Sequence, residues 1–195
     1  MPTQIPYDRS KAAAYAEKWA FSRNPRYISF DGMGGDCTSF VSQCLYAGTG
    51  VMNYTRDTGW YYNSAADRAA AWSGVPYLHR FLTNNRSVGP YGRAAALGEL
   101  ERGDIIQLGD ASDKWYHSLF VTAVTENDIL VSTHTFDAYR RPLSSYVYAQ
   151  ARGIRIEAID SCSATVGEGA MVLEAACIAA AGGGGDVSQG RVGLP

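Results

Sequence analysis

No aromatic residue follows Tyr148. All 23 (6 Phe, 4 Trp and 13 Tyr) lie at or before it, and the last 47 residues, Ala149 to Pro195, contain none. Aromatic side chains supply much of a core's buried area, so this absence separates a packed body from a stretch with little to pack. The chain also lacks a charge excess: 17 Lys and Arg stand against 19 Asp and Glu, for a formal charge of −2. Bulk electrostatics therefore give a polyanion nothing to bind, and nucleic acid is excluded as an expected partner. No apolar run approaches the roughly 18 to 20 residues needed to cross a bilayer, and the polar segment Met1 to Lys11 does not read as a signal peptide. The compartment stays open on these grounds.

Cysteine is scarce as well, with Cys37 and Cys44 in the body and Cys162 and Cys177 beyond it. The 37/44 spacing matches neither a zinc knuckle nor a redox CxxC. On one helix it separates the two Cα atoms by about 10.5 Å, too far for a disulfide. Cys44 reads as a small buried hydrophobe. A zinc site drawn from Cys37, Cys44, His117 and His134 has no familiar ligand spacing, and no metal or cofactor is expected.

What is present is a chain of 195 residues, 46% apolar overall, with one packed body and a Gly/Ala-rich end set apart from it. Residues 1–160 read as one domain and 161–195 as a poorly ordered tail, with Gly182 to Gly185 a flexible run. Ser10 to Ala20 has a capping serine and a stripe of Ala12, Tyr15, Ala16 and Trp19, which predicts an amphipathic helix. The glycines of 31–35 mark a loop, and Phe40, Val41, Cys44 and Leu45 begin a second helical pattern that opens almost at Cys37. A third helix is expected over Val75 to Leu82. Strand patterns follow at Asp104 to Leu108, Ser118 to Val124 and Ile129 to Thr133, with a last one at Gly153 to Ile159. Helices first and an antiparallel meander afterwards is an α+β order.

Cys37 carries the chemistry in this pattern. A helix N-terminus favours a thiolate through its partial positive charge, and the amides of its first turn can receive an oxyanion. A nucleophilic cysteine needs a base, and the sequence has three histidines. His79 sits among Leu78 and Phe81 and reads as packing. His117 stands at the rim of a strand and is the better base. His134 closes the next strand, so an antiparallel pairing should bring it beside His117, where either it or Asp137 could orient the base.

The segment Gly34-Gly35-Asp36-Cys37-Thr38-Ser39-Phe40-Val41-Ser42-Gln43-Cys44 resembles the nucleophile motif of the putative amidase domain family of bacteria, related to the NlpC/P60 and CHAP cysteine peptidases. Tyr7-Asp8-Arg9, Trp60-Tyr61-Tyr62, Gly103-Asp104-Ile105-Ile106, His117-Ser118 and His134-Thr135 with Asp137 resemble the same family in order, over residues 7 to 148. The resemblance implies a papain-like α+β fold with N-terminal helices packed on an antiparallel sheet. It implies Cys37 as nucleophile, His117 as general base and acid, and His134 as the orienting residue, with Asp137 competing for that role. Tyr27 is implied as a substrate-binding residue. The implied activity is cysteine-dependent amide or peptide hydrolysis through a thioester, with a peptide or peptidoglycan fragment as substrate and the cell envelope or exterior as its setting. The competing reading is a non-catalytic wall-binding or peptide-binding module that keeps the fold and uses the aromatic residues of 53–77 as a groove. Acyl transfer to an amine is a third outcome that the same residues would support.

Overall fold

The computed structural model describes residues 4–160. The proposed tail over 161–195 lies outside the described residues. Along the chain run β1 (Gln4–Ile5), α1 (Arg9–Trp19), α2 (Cys37–Thr49), α3 (Ala70–Ser73), α4 (Val75–Asn84), β2 (Gly89–Ala95), β3 (Ile105–Gly109), β4 (Trp115–Val124), β5 (Ile129–Thr133), β6 (Ala138–Pro142) and β7 (Gln150–Asp160). The seven strands form one antiparallel sheet in the order β1-β7-β3-β4-β5-β6, with β2 also pairing β7. This is an α+β chain, as its element order implies.

The helices cover one face of the sheet. α1 starts at Asp8, whose carboxylate accepts from the Lys11 amide at 2.9 Å; the cap is this aspartate and not Ser10. α2 is buried nearly all round, an arrangement its apolar and small residues permit, and it ends where Gly50 takes a left-handed φ of 70° and donates to the Tyr46 carbonyl. Between helices and sheet, Phe40, Val41 and Leu45 of α2 meet Trp60, Trp72 and Leu78 above and Ile105, Phe120 and Ile154 below. Ile106, Leu108, Leu119, Val121 and Val131 point the other way, into a smaller core closed by Leu100 and Leu143. The period of two along β3 and β4 thus feeds two cores, one on each face.

Asp104 ties the body together. Its fully buried carboxylate accepts from Arg9 at 2.7 Å and from the Ile156 amide at 3.0 Å, joining α1, β3 and β7. Tyr7 adds a hydrogen bond to the Gly103 carbonyl. The Tyr7-Asp8-Arg9 and Gly103-Asp104 motifs therefore serve the architecture. Among the described residues no helix is long and apolar enough to cross a membrane.

Candidate active site

Cys37 is the first residue of α2, and its neighbour Asp36 occupies the cap position without capping the helix. The Asp36 carboxylate turns away instead. Oδ1 accepts from the Phe30 amide at 3.2 Å and Oδ2 lies 2.7 Å from His134 Nδ1. The first-turn amides of α2 are left without a side-chain cap, which is the arrangement an incoming oxyanion requires.

His134 has both ring nitrogens engaged, Nδ1 with Asp36 and Nε2 with the Trp19 carbonyl at 2.8 Å. A carbonyl only accepts, so Nε2 carries a hydrogen. The ring packs on Phe40 with centroids 4.1 Å apart and is buried, as is Asp36. Three loops meet here. Arg23 bonds both Asp31 and Asp137, and Thr135 Oγ1 accepts from the Asp36 amide at 3.1 Å. Gly35 makes that approach possible: at φ 105° it lies so close to Thr135 that a Cβ would stand 2.6 Å from Oγ1.

The Cys37 thiol is buried between α2 and β4. Burial pushes its pKa up, against the opposing hydrogen bonds from the Ser118 amide, Thr38 and Thr135. Burial is the largest cause, so the thiol sits above its ordinary value in this state, where the sequence leads us to expect the helix terminus to favour a thiolate. Cys44 is fully buried and free, as expected of a small hydrophobe.

The two other expected imidazole contacts are not made. Ser118 and Phe120 point to the helices, whereas His117 shares the face of Leu119 and packs toward Tyr146, ring centroids 6.3 Å apart. Among the described residues no hydrogen bond joins His117 to Cys37 or to His134. The alternation along the strand places it on the face opposite α2. Burial, with Arg141 nearby, lowers the His117 pKa to about 4. His134 therefore does not orient His117, and Asp137 pairs with Arg23 instead. Tyr27 lies in the aromatic cluster, 5.1 Å from Tyr62 and 5.6 Å from Trp72 by ring centroids. His79 is partly buried on α4, as its packing role requires.

Sequence reasoning missed Asp36. Its position next to Cys37 was visible, but a cap aspartate ordinarily bonds its own helix, and nothing local reveals a partner 98 residues away.

A family model described as "Putative amidase domain" matches residues 6–157. The chain belongs to that family. Membership points to amide hydrolysis, and so to a hydrolase acting on C–N bonds. An uncharacterized protein of Bacillus subtilis (strain 168), YhbB, is 32% identical over 139 residues, which is 69% of this chain and 43% of that protein. The chain thus spans less than half the length of this curated relative. No solved structure matches the chain. A cavity of about 590 Å³ is lined by Asn53, Tyr77, Arg80 and Arg86 among others, and Cys37 is not among its lining residues.

Proposed function

We propose that this domain hydrolyses an amide through a thioester on Cys37, in a papain-like arrangement similar to that of the NlpC/P60 and CHAP cysteine hydrolases. One observation supports this most: Cys37 opens a buried helix whose first-turn amides are left uncapped, with Thr38 Oγ1 3.8 Å from its sulfur. His117 is the base in this reading. It stands next to Ser118, whose hydroxyl lies 3.0 Å from Thr38 Oγ1 beside the sulfur, and it is neutral at pH 7; its lowered pKa makes it a weak proton acceptor in that buried place. To act on the sulfur it must leave the sheet face opposite α2, which takes a shift of the start of β4 as well as a turn of the ring, and leaving that buried place restores its basicity.

Sγ then attacks the carbonyl carbon as the thiol proton passes to His117, and the amides of α2 hold the oxyanion. His117 returns the proton to the nitrogen as the C–N bond breaks, and water attacks the thioester to release the acid and restore the thiol. The raised thiol pKa makes the proton transfer concurrent with attack rather than prior to it. Asp36 and His134 hold the helix terminus in register with the strand ends. Tyr27 offers the substrate a hydroxyl that has no hydrogen bond among the described residues. The substrate in this reading is a peptide, with peptidoglycan fragments the first to try.

Mass spectrometry of peptidoglycan fragments incubated with the full chain and with Cys37→Ala tests the proposal. Cleavage by the former and none by the latter is the expected result; equal cleavage by both would overturn it. The burial of Cys37 favours a second reading, a wall-binding module without turnover. Binding of those fragments with no product from either protein would select it.

A further inference from the structure

Gln107 lies between Ser118 on β4 and Arg152 on β7 in register, and its side chain bonds both on the helix-covered face. Its Nε2 donates to the Val75 carbonyl at 2.8 Å and to Ser118 Oγ at 3.3 Å. Its Oε1 accepts from Arg152 Nε at 3.0 Å and Nη2 at 2.6 Å. Ser118 Oγ in turn lies 3.0 Å from Thr38 Oγ1, which is 3.8 Å from the Cys37 sulfur. A continuous polar row thus leads from the nucleophile to a guanidinium.

That guanidinium is half-buried, sits over Trp115 with Cζ 4.0 Å from the ring centroid, and pairs with no carboxylate among the described residues. Its Nη1 makes no hydrogen bond there. Partial burial of a cation without a counter-ion is unfavourable, and burial lowers the Arg152 pKa to about 10. His79 adds to the imbalance, since its own pKa is lowered by burial and then by Arg152. An arginine stacked on an indole, held by one amide oxygen and left with an open donor edge, is preorganised for a bidentate anion.

We propose that Arg152 is a specificity-determining residue that binds a carboxylate of the substrate. The proposal rests on Cys37 being the nucleophile. Ser118 and Arg152 are two strand spacings apart, about 10 Å, and the Cys37 sulfur lies beyond Ser118 through Thr38, so an extended peptide covers the gap in about three to four residues. The preferred substrate is therefore a peptide with a free carboxylate about three to four residues from the scissile amide.

The test uses the full-length chain carrying Cys37→Ala, so that binding is read without turnover. Trialanine and tetraalanine are titrated in by calorimetry, each as the free acid and as the C-terminal amide. The acid should bind about ten-fold or more tightly than the amide, as a charge-assisted hydrogen bond implies. Adding Arg152→Gln should abolish that preference, and adding Arg152→Lys should retain part of it, which separates lost recognition from lost folding. Equal binding of acid and amide, or a preference that survives Arg152→Gln in a protein with an unchanged melting curve, overturns the proposal. Retained amide cleavage by Cys37→Ala would instead strike the reading of the nucleophile, and it leaves the acid-to-amide ratio as a separate result.

Discussion

The Asp36 carboxylate sits 2.7 Å from His134 Nδ1, with both side chains about 1% exposed. They are 98 residues apart, so the pair fastens the start of α2 to the end of β5. The same imidazole reaches the carbonyl of Trp19 at the end of α1. One ring therefore joins three segments whose relative position sets where Cys37 stands.

Removing either partner should be costly. Truncation of one member of a buried, hydrogen-bonded pair leaves the other without compensation, at about 3–5 kcal/mol. Asp36→Ala and His134→Ala should each lower stability by that order in urea denaturation, and the double variant should lose much less than their sum. Additive losses, or single losses under about 1 kcal/mol, would mean that the pair does not fasten these segments.

The thiol should behave as a buried one. With its pKa raised by burial, Cys37 has a smaller thiolate fraction at neutral pH than a free cysteine. Its alkylation by iodoacetamide should be slow at pH 7 and should accelerate at higher pH than that of a free cysteine, while Cys44 stays unmodified until the protein unfolds. Mass spectrometry of the alkylated peptides checks both. Rapid modification of Cys37 at pH 7 would show that the thiol is not desolvated in solution.

His117 should give stability a pH dependence. Its folded pKa of about 4 is depressed, so between that value and about 6.5 the unfolded chain binds a proton that the folded chain does not. Stability is then complete above about pH 6.5 and declines as pH falls through 4, by about 3 kcal/mol from this group. Denaturant midpoints of wild type and His117→Leu, compared from pH 7 to pH 4, measure the difference. Parallel profiles for the two proteins would remove His117 as a neutral buried base.

Gly35 should tolerate no side chain. Gly35→Ala places a Cβ 2.6 Å from Thr135 Oγ1 at a φ of 105°. A strained residue of this kind costs about 1–3 kcal/mol. Pairing it with Thr135→Ala removes the contact but leaves the φ, so thermal melting of the double variant should recover only part of the loss. Full stability in Gly35→Ala alone would contradict the close approach of these loops.

Much of the fold was legible where the signal is local. The meander β3-β4-β5 and the helices α1, α2 and α4 fall within a few residues of their periodic patterns. β2, with sequence GPYGRAA, was not legible, because glycine and proline break its alternation and its ladder comes entirely from β7. β6 was missed for a related reason: a short edge strand of AYRRP, it gains its order from β5.

The site divides in the same way. Cys37 at the opening of a helix follows from a glycine loop and an apolar period, both local. The face of His117 was also readable, because Ser118 and Phe120 share one parity and Leu119 and Val121 the other; treating the strand end as a rim overlooked it. The pairing of Asp36 with His134 and the row from Ser118 through Gln107 to Arg152 depend on which strands become neighbours. No window of sequence contains that information.

β7 is the last described strand in the chain, yet it lies inside the sheet, between β3 on one side and β1 and β2 on the other. A ribosome must therefore release residue 160 before the sheet can close. Until then β2 has no ladder, and β3 offers an open edge to any neighbouring chain. The same order makes Arg152 and the anchor of Asp104 arrive together, so the chain acquires its proposed carboxylate contact in the step that completes its core. A truncation before Gln150 should therefore leave β3 with an unpaired edge and the fragment prone to aggregate.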